Sequence, residues 1–274
     1  MDFAFRFGDE STNCSDSVQK LSVPIPDVAA NCSNSVTTLC VVPASMPPPT
    51  LWPHVPCGAF TRVLPDADAV TGLTLDVIPG MYEGGMKQWE CTHDLLRWIN
   101  SNAAVVCDKI VLDVGCGAGL AGVAALAAGA AHVVFQDLNV AVLREVTIRN
   151  VVCNLGEDAL HKCSFVAGPW DALAAATARA VDMPIPSQLR SRIDIAISSE
   201  TIYSTASHSA LLAVLRTVLT PQTGIAIVAA KRHYFGVGGG SVEFSRVAAA
   251  SGCAVSVVES IGTDVPRDVM KLQW

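Results

Sequence analysis

One short segment constrains the fold of this chain more than any other part of the sequence. Its apolar run, Ile110–Val114, contains Asp113 and leads directly into Gly115, Gly117 and Gly119, after which an Ala/Leu-rich stretch begins. This order predicts a β-strand, a tight turn and a helix that starts at the turn. A turn without Cβ atoms lets a ligand lie against bare backbone at a helix N-terminus, so we expect a nucleotide-like ligand here.

Two ligand classes fit this turn. Residues 117–122 also satisfy the Gly-x-Gly-x-x-Gly pattern of dinucleotide-binding proteins, which is weak evidence when it stands alone. A second apolar run ends in Gln136 and Asp137, where a carboxylate can bind ribose hydroxyls of either ligand class. We expect Asp113 to accept from an ammonium group, which S-adenosylmethionine carries and NAD does not. The two acids together favour S-adenosylmethionine, and no Tyr-x-x-x-Lys pair supports an NAD-dependent reductase.

The bulk composition excludes several classes of protein. The chain has 274 residues, of which 51% are hydrophobic, but its mean hydropathy of +0.41 comes from dispersed Ala and Val, and the longest apolar run is too short for a membrane span. The net charge of −7 without a basic block argues against direct nucleic-acid binding. The ten cysteines show no Cys-x-x-Cys spacing, so we expect reduced thiols in an intracellular protein and no metal site.

The composition divides the chain near residue 72. Residues 1–72 are rich in Ser, Asn and Thr and contain a Pro-rich stretch at 43–56, which predicts a largely extended or disordered N-terminal extension with few core contacts. Within it, Phe3, Phe5 and Phe7 alternate in a way that would place three rings on one face of a strand. Residues 73–274 form the expected folded domain.

Strands and helices alternate through this second region. Predicted strands are Ile110–Val114, His132–Gln136, Ser164–Ala167, Ile193–Ser198, Ile225–Ala230, Val255–Glu259 and Asp268–Trp274, and predicted helices are Trp89–Asn100, Leu120–Ala128, Val140–Val152, Ala172–Ala180, Ser207–Leu219 and one within Ser241–Ala250. This order predicts an α/β fold, a doubly wound, mostly parallel, seven-stranded Rossmann-like sheet. The loops that follow the parallel strands then meet at one edge, which makes Trp170 a candidate to stack on an adenine.

Five segments of the chain closely resemble the histidine protein methyltransferases of eukaryotes, members of the seven-strand class that uses S-adenosylmethionine. They are residues 78–92 (IPGMYEGGMKQWECT), 111–119, 135–139, 199–203 (SETIY) and 233–240 (HYFGVGGG). The glycine turn is typical of the whole superfamily, whereas the first and last segments are more specific. The resemblance covers about residues 73–274 and hardly extends to 8–72.

The resemblance implies a cofactor, a substrate and a set of contacts. The cofactor is S-adenosylmethionine, and the substrate is a histidine of a large-subunit ribosomal protein, which places the protein in the cytoplasm or nucleus, the nucleolus included. The implied cofactor-binding positions, to which the turn itself adds Asp113, are Gln88, Trp89, Glu90, Cys91, Thr92, Gly115, Gly117, Gln136, Asp137, Leu138, Gly168, Trp170 and Ser198. Pro169 departs from the family pattern and removes one backbone N–H near the adenine position.

Methyl transfer to histidine requires control of the imidazole tautomer. A histidine with an ordinary pKa near 6.5 is mostly neutral at neutral pH, so it needs alignment and a partner for its second ring N–H rather than a strong base. Glu200 is the candidate acceptor, and Tyr203 and His233 are candidate walls of the pocket. Two alternatives stay open, a lysine methyltransferase of the same class and a cofactor-binding ribosome-assembly factor. We expect a monomer.

Overall fold

The computed structural model describes residues 37–38, 54–57, 59–64, 77–78, 81–178 and 191–274. Its strands are β1 (Thr37–Thr38), β2 (His54–Cys57), β3 (Phe60–Val63), β4 (Ile110–Val114), β5 (His132–Asp137), β6 (Cys163–Ala167), β7 (Ile195–Ser199), β8 (Ile225–Lys231), β9 (Ala254–Ile261) and β10 (Arg267–Gln273). Its α-helices are α1 (Glu90–Ser101), α2 (Ala103–Val106), α3 (Leu120–Ala127), α4 (Val140–Val142), α5 (Ile148–Leu155), α6 (Trp170–Ala178), α7 (His208–Val218) and α8 (Ser241–Ala250).

The main sheet has the strand order β1-β6-β5-β4-β7-β8-β10-β9. Five neighbouring strands of the sheet are parallel to one another, namely β6, β5, β4, β7 and β8. β10 runs antiparallel to both of its neighbours. The expected doubly wound, mostly parallel seven-stranded sheet is therefore confirmed, and the two-residue β1 adds an antiparallel strand beside β6. The strand order reverses between β4 and β7, which is where open α/β sheets form their ligand crevice.

The parallel part of the sheet is buried on both faces because helices cover each side. One apolar cluster packs α1, α3 and α5 against the sheet, and a second packs α6, α7 and α8 on the other face. In the first cluster, Phe135 of β5 stacks on Phe165 of β6 with ring centroids 5.3 Å apart. The ring of Phe135 also explains Gly122 in α3, since a Cβ there would lie 2.3 Å from Phe135 Cε1.

The two edges of this sheet differ. β1 lies along β6, whereas β9 forms the other edge and exposes Val257 and Val258. The pairing of β9 with β10 shifts its register between Val269 and Met270, because Val269 pairs with Glu259 and Met270 with Val257. Val258 is therefore the extra residue of a β-bulge.

The N-terminal region corrects one expectation. β2 and β3 form an antiparallel hairpin whose Cys57 and Val63 are buried, and Val63 N donates to Asn150 Oδ1 of α5 at 2.5 Å. The expectation that residues 1–72 make few core contacts is therefore wrong for this hairpin. The alternating Phe3, Phe5 and Phe7 lie outside the described residues.

The other predicted elements match the structure to within a few residues, with one change of geometry. The helix expected over Val140–Val152 consists of α4, a π-helical turn at Leu143–Thr147 and α5, and it continues to Leu155. Single π-helical turns inside helices are frequent at functional sites. Within the described ranges, no helix is long and apolar enough to cross a membrane.

Candidate functional site

The glycine turn after β4 has a backbone that only glycine adopts easily. Gly115, Gly117 and Gly119 have φ values of +60°, +51° and +71°, in the left-handed region. The turn is also tightly packed, since a Cβ at Gly115 would lie 2.7 Å from Thr201 Cγ2 and one at Gly117 would lie 3.0 Å from Gly85 O. The glycines therefore allow both the conformation and the close approach of neighbouring segments.

Asp113 lies beneath this turn rather than in an open cleft. Its side chain is 2% exposed, and its Oδ2 accepts from Gly122 N, in the first turn of α3, at 2.9 Å. Gly119 precedes this helix and has no side chain to cap it, so the carboxyl of Asp113 supplies a partner for one of the free N–H groups. The direct bond from Asp113 to a ligand ammonium that the sequence led us to expect is not supported by this orientation.

Asp137 is likewise used by the protein itself. Its carboxylate accepts from Gly117 N at 3.0 Å and from Asn139 N at 3.0 Å, and its side chain is buried. Burial raises the pKa of Asp137 to about 6, and burial together with the charge of Asp137 raises the pKa of Asp113 to about 8. If Asp137 binds ribose hydroxyls as expected, those hydroxyls would have to share its carboxylate oxygens with the backbone N–H groups that already donate to them.

Gln136 connects the loops after three strands. Its Oε1 accepts from Gly115 N at 3.2 Å and from Trp170 Nε1 at 2.9 Å, while its Nε2 donates to Gly168 O at 2.8 Å. The half-buried indole of Trp170 is thereby held beside the glycine turn, with Cζ2 3.5 Å from the Cβ position of Gly115. The candidate residues Gln136, Gly168 and Trp170 are thus brought together.

The segment before α1 forms another wall of the site. Gln88 Nε2 donates to Cys57 Sγ at 2.8 Å, and Trp89 Nε1 donates to Gly84 O at 3.2 Å. The first residues of α1 contact the strand ends. Cys91 is fully buried, and Thr92 Oγ1 lies 3.3 Å from Ser199 Oγ at the end of β7. Glu90 forms an ion pair at 3.0 Å with Lys231 at the end of β8. These bonds join α1 to the ends of β7 and β8.

Glu200 lies at the centre of these contacts in a strained conformation. Its φ is +59°, which is uncommon outside glycine and is often seen at functional sites. Its Oε1 accepts from Cys91 N at 3.1 Å, and its Oε2 accepts from the hydroxyl of Tyr234. Because both oxygens already accept, the expected bond from Glu200 to a substrate imidazole would use a remaining lone pair or replace one of these partners.

The other candidate residues differ in how deeply their side chains are buried. Tyr203 is half-buried, and its ring packs edge-on to Tyr234 with centroids 6.3 Å apart. His233 is exposed at the start of the loop after β8, and Leu138 is half-buried after β5. Ser198 is buried, and its hydroxyl donates to Val114 O at 2.9 Å, so it joins β7 to β4 rather than lining an open surface.

Two residues that the sequence reading missed hold the glycine turn from behind. Thr147 Oγ1 donates to Gly117 O at 2.6 Å, and Asn150 Nδ2 donates to Ala118 O at 2.7 Å. Both side chains are fully buried. Their spacing of three places them on one face of a helix, and polar residues on the buried face of an apolar helix were the signal that could have identified them.

These residues fit a cationic ligand that carries an adenosine. The turn offers bare backbone beside an indole, and the two buried carboxyl groups below it lie where a positive charge would favour their ionised forms. The N-terminus of α1 lies at the same edge, where its Cys91 N–H already donates to Glu200. S-adenosylmethionine, with a sulfonium and an adenine, matches this set.

Comparisons with known proteins agree with this geometry. The profile of the ribosomal protein L11 methyltransferase family (PrmA) matches residues 61–181. Histidine protein methyltransferase 1 homolog of Mus musculus is 34% identical over 221 residues, which span 73% of this chain and 59% of that protein. The homolog of Bos taurus is 36% identical over 192 residues, 62% of this chain and 50% of that protein. The chain is a homologue of the histidine protein methyltransferases.

The resemblance seen in the sequence motifs is thereby confirmed, and the chain spans between half and about three-fifths of the length of these relatives. A solved structure from Streptococcus mutans, of a proposed S-adenosylmethionine-dependent methyltransferase, superposes with a TM-score of 0.51 at 14% identity. That match covers 78% of this chain and 52% of the other. It supports the fold, which is the Rossmann-like fold of these methyltransferases.

Proposed function

We propose that this chain is a protein-histidine N-methyltransferase that transfers a methyl group from S-adenosylmethionine to a histidine of a large-subunit ribosomal protein. The observation that carries the proposal is the meeting of the family-like segments at one edge of the sheet, where Glu200 joins α1 to the loop after β8. The family profile, whose name refers to a ribosomal protein, supports the choice of substrate class. We propose a location in the cytoplasm or nucleus on the same basis.

The residues of the chain would bind and align the two reactants. The bound cofactor supplies an electrophilic methyl group on a sulfonium, so the transfer is an in-line displacement that depends on alignment and on the exclusion of water. Trp170 and the backbone of the glycine turn would hold the adenosine part, and the segment from Gln88 to Thr92 would close over the rest. Tyr203 and His233 would line the entrance for the substrate side chain.

The state of Glu200 favours histidine over lysine as the target. Both oxygens of its carboxylate are already hydrogen-bonded, so it is an orienting group rather than a free base. A lysine with a pKa near 10.4 must lose a proton before it can attack, whereas an imidazole with a pKa near 6.5 is mostly neutral already. Glu200 would accept the N–H of the second ring nitrogen and so select the reactive tautomer.

The direct test is incubation of the protein with S-adenosylmethionine carrying a labelled methyl group and isolated large-subunit ribosomal proteins, followed by mass spectrometry of the modified residue. We expect methylhistidine in one protein, and a rate that rises with pH through about 6.5 as the substrate imidazole loses its proton. Trp170→Ala and Glu200→Gln should reduce the label. Arg216→Gln, at an exposed position near the end of α7, is the matched control and should retain it.

Two outcomes would contradict the proposal. Label on lysine would move the chain to the lysine-modifying proteins of the same class. The protein could instead bind the cofactor tightly but transfer no methyl group to any ribosomal protein, whether isolated or in an extract before ribosome assembly. That result would favour a cofactor-binding assembly factor.

A further inference from the structure

The N-terminal hairpin is attached to α5 by two asparagine side chains. Thr61 N donates to Asn154 Oδ1 at 2.7 Å, Asn154 Nδ2 donates to Thr61 O at 2.7 Å, and Val63 N donates to Asn150 Oδ1 at 2.5 Å. Asn154 thus pairs with Thr61 through both its oxygen and its nitrogen, as the backbone of a neighbouring strand would, and Asn150 adds one acceptor for Val63 N. The hairpin is therefore docked through specific hydrogen bonds.

Asn150 extends this attachment to the glycine turn. Its oxygen accepts from the hairpin, while its nitrogen donates to Ala118 O, and the side chain is fully buried. Thr147, one turn earlier, holds the adjacent carbonyl of Gly117. Because a peptide unit is planar, fixing these two carbonyls also fixes the orientation of the two peptide units that join Gly117 to Gly119.

The hairpin also contacts the opposite wall of the site. Arg62 Nη2 donates to Met86 O at 2.7 Å, and Cys57 Sγ accepts from Gln88 Nε2. Met86 and Gln88 belong to the segment that leads into α1. One hairpin therefore reaches both the glycine turn, through Asn150, and the segment that faces it, through Arg62.

We propose that Asn150 is a positioning residue for the cofactor and that the hairpin strands β2 and β3 are part of the cofactor site. This inference rests on the proposed function, because it concerns the binding of the adenosine-bearing cofactor. Asn150 does not touch the cofactor in this scheme. It holds the glycine turn in its binding conformation and transmits the position of the hairpin to it.

A matched pair of substitutions tests the role of Asn150. Asn150→Asp keeps the acceptor for Val63 N but places an oxygen against Ala118 O of the glycine turn, whereas Asn154→Asp makes the same chemical change against Thr61 O of the hairpin and has no contact with the turn. In the full chain, we expect Asn150→Asp to weaken S-adenosylhomocysteine binding about tenfold, and Asn154→Asp, which disturbs the hairpin but not the turn, to weaken it by only about threefold. Calorimetry measures both dissociation constants.

Two further readouts separate positioning from general destabilisation. Hydrogen exchange of the cofactor-free protein should be faster at residues 115–119 in Asn150→Asp than in Asn154→Asp. The affinity of Asn150→Asp should recover toward pH 5, since a protonated carboxyl can again donate to Ala118 O. If Asn150→Asp does not fold, the isosteric Thr147→Val removes the neighbouring bond to Gly117 O and should also lower the affinity for S-adenosylhomocysteine.

The outcomes distinguish this inference from the proposed function. Equal affinities of Asn150→Asp and Asn154→Asp, both folded, would overturn the role of Asn150, and wild-type affinity in Arg62→Met would overturn that of the hairpin. Failure of the unmodified protein to bind S-adenosylhomocysteine would instead overturn the proposed function.

Discussion

The hydroxyl of Tyr234 donates to the carboxylate of Glu200, and the same carboxylate accepts the N–H of Cys91. Through this pair, the loop after β8, the end of β7 and the start of α1 are held in one arrangement. Burial, and then the nearby charge of Glu200, raise the pKa of Tyr234 far above its usual value, so its hydroxyl stays a donor at any physiological pH.

Removal of this hydroxyl should affect both stability and activity. In Tyr234→Phe, Glu200 loses a donor and Lys231 N loses its acceptor, so we expect the free energy of unfolding to fall by about 1–3 kcal/mol and methyl transfer to fall about tenfold. Urea denaturation and initial rates measure the two effects. Tyr203→Phe is the control for stability, because its hydroxyl has no hydrogen bond among the described residues. An equal loss of stability in both variants would contradict the prediction.

Burial of Asp113 should make the stability of the protein depend on pH. Its pKa is raised to about 8 in the folded state and lies near 3.9 in an unfolded chain, so the folded state holds the proton more tightly and stability falls as pH rises from about 4 to about 8. Asp137, with a pKa of about 6, contributes only to the lower part of this range.

Between pH 6 and 8, Asp113 alone should lower the free energy of unfolding by at most about 1.4 kcal/mol per pH unit. Asp113→Asn cannot ionise but can still accept from Gly122 N, so its stability should be nearly constant over this interval. Denaturation curves at three pH values suffice. A slope shared by the wild type and the variant would show that another group is responsible.

Two glycines with similar backbone conformations distinguish the free-energy cost of backbone strain from the cost of steric crowding. Gly252, which follows α8 in a Schellman motif, has a φ of +81° and open space around its Cβ position, whereas Gly119 has a φ of +71° and a Cβ position 2.5 Å from Thr147 Cγ2. Gly252→Ala should therefore cost only the left-handed strain of about 1–2 kcal/mol. Gly119→Ala should cost clearly more and weaken S-adenosylhomocysteine binding. Unfolding of the two variants at the same urea concentration would show that the turn is not crowded at Gly119.

The indole of Trp170 should report directly on cofactor binding. Trp170→Ala removes the proposed adenine platform and should weaken S-adenosylhomocysteine binding about tenfold or more, while Trp170→Phe keeps an aromatic face and loses only the bond to Gln136. Trp274→Phe, near the end of β10 that pairs with the start of β8, is the control and should bind as the wild type does. An unchanged affinity in Trp170→Ala would place the adenine elsewhere.

The positions of the strands along the chain were predictable because their signal is local. The run from Ile110 to Val114 is a strand with the predicted bounds, since it is a short apolar stretch between a charged residue and a glycine turn. The meeting of Glu200, Gln136 and Trp170 at one edge follows from the rule that the carboxyl ends of parallel strands lie together.

The orientation of each polar group was not predictable in the same way. Asp113 and Asp137 were placed correctly at strand ends, but their oxygens bind backbone N–H groups of the protein, and that choice depends on packing around the turn. The hairpin was missed because its strands are four residues long and contain Pro56, and because its partners, Asn150 and Asn154, lie about 90 residues later. Such pairing has no local signature.

The bulge at Val258 has a consequence for how copies of this protein meet one another. An edge strand with exposed valines offers free N–H and C=O groups to any extended chain that approaches it, which is the usual origin of aggregation between sheets. The extra residue breaks the regular spacing of those groups and bends the strand midway. An incoming strand would therefore find only short stretches in register on either side of Val258, so the protein limits unwanted sheet extension by the shape of its backbone at this edge.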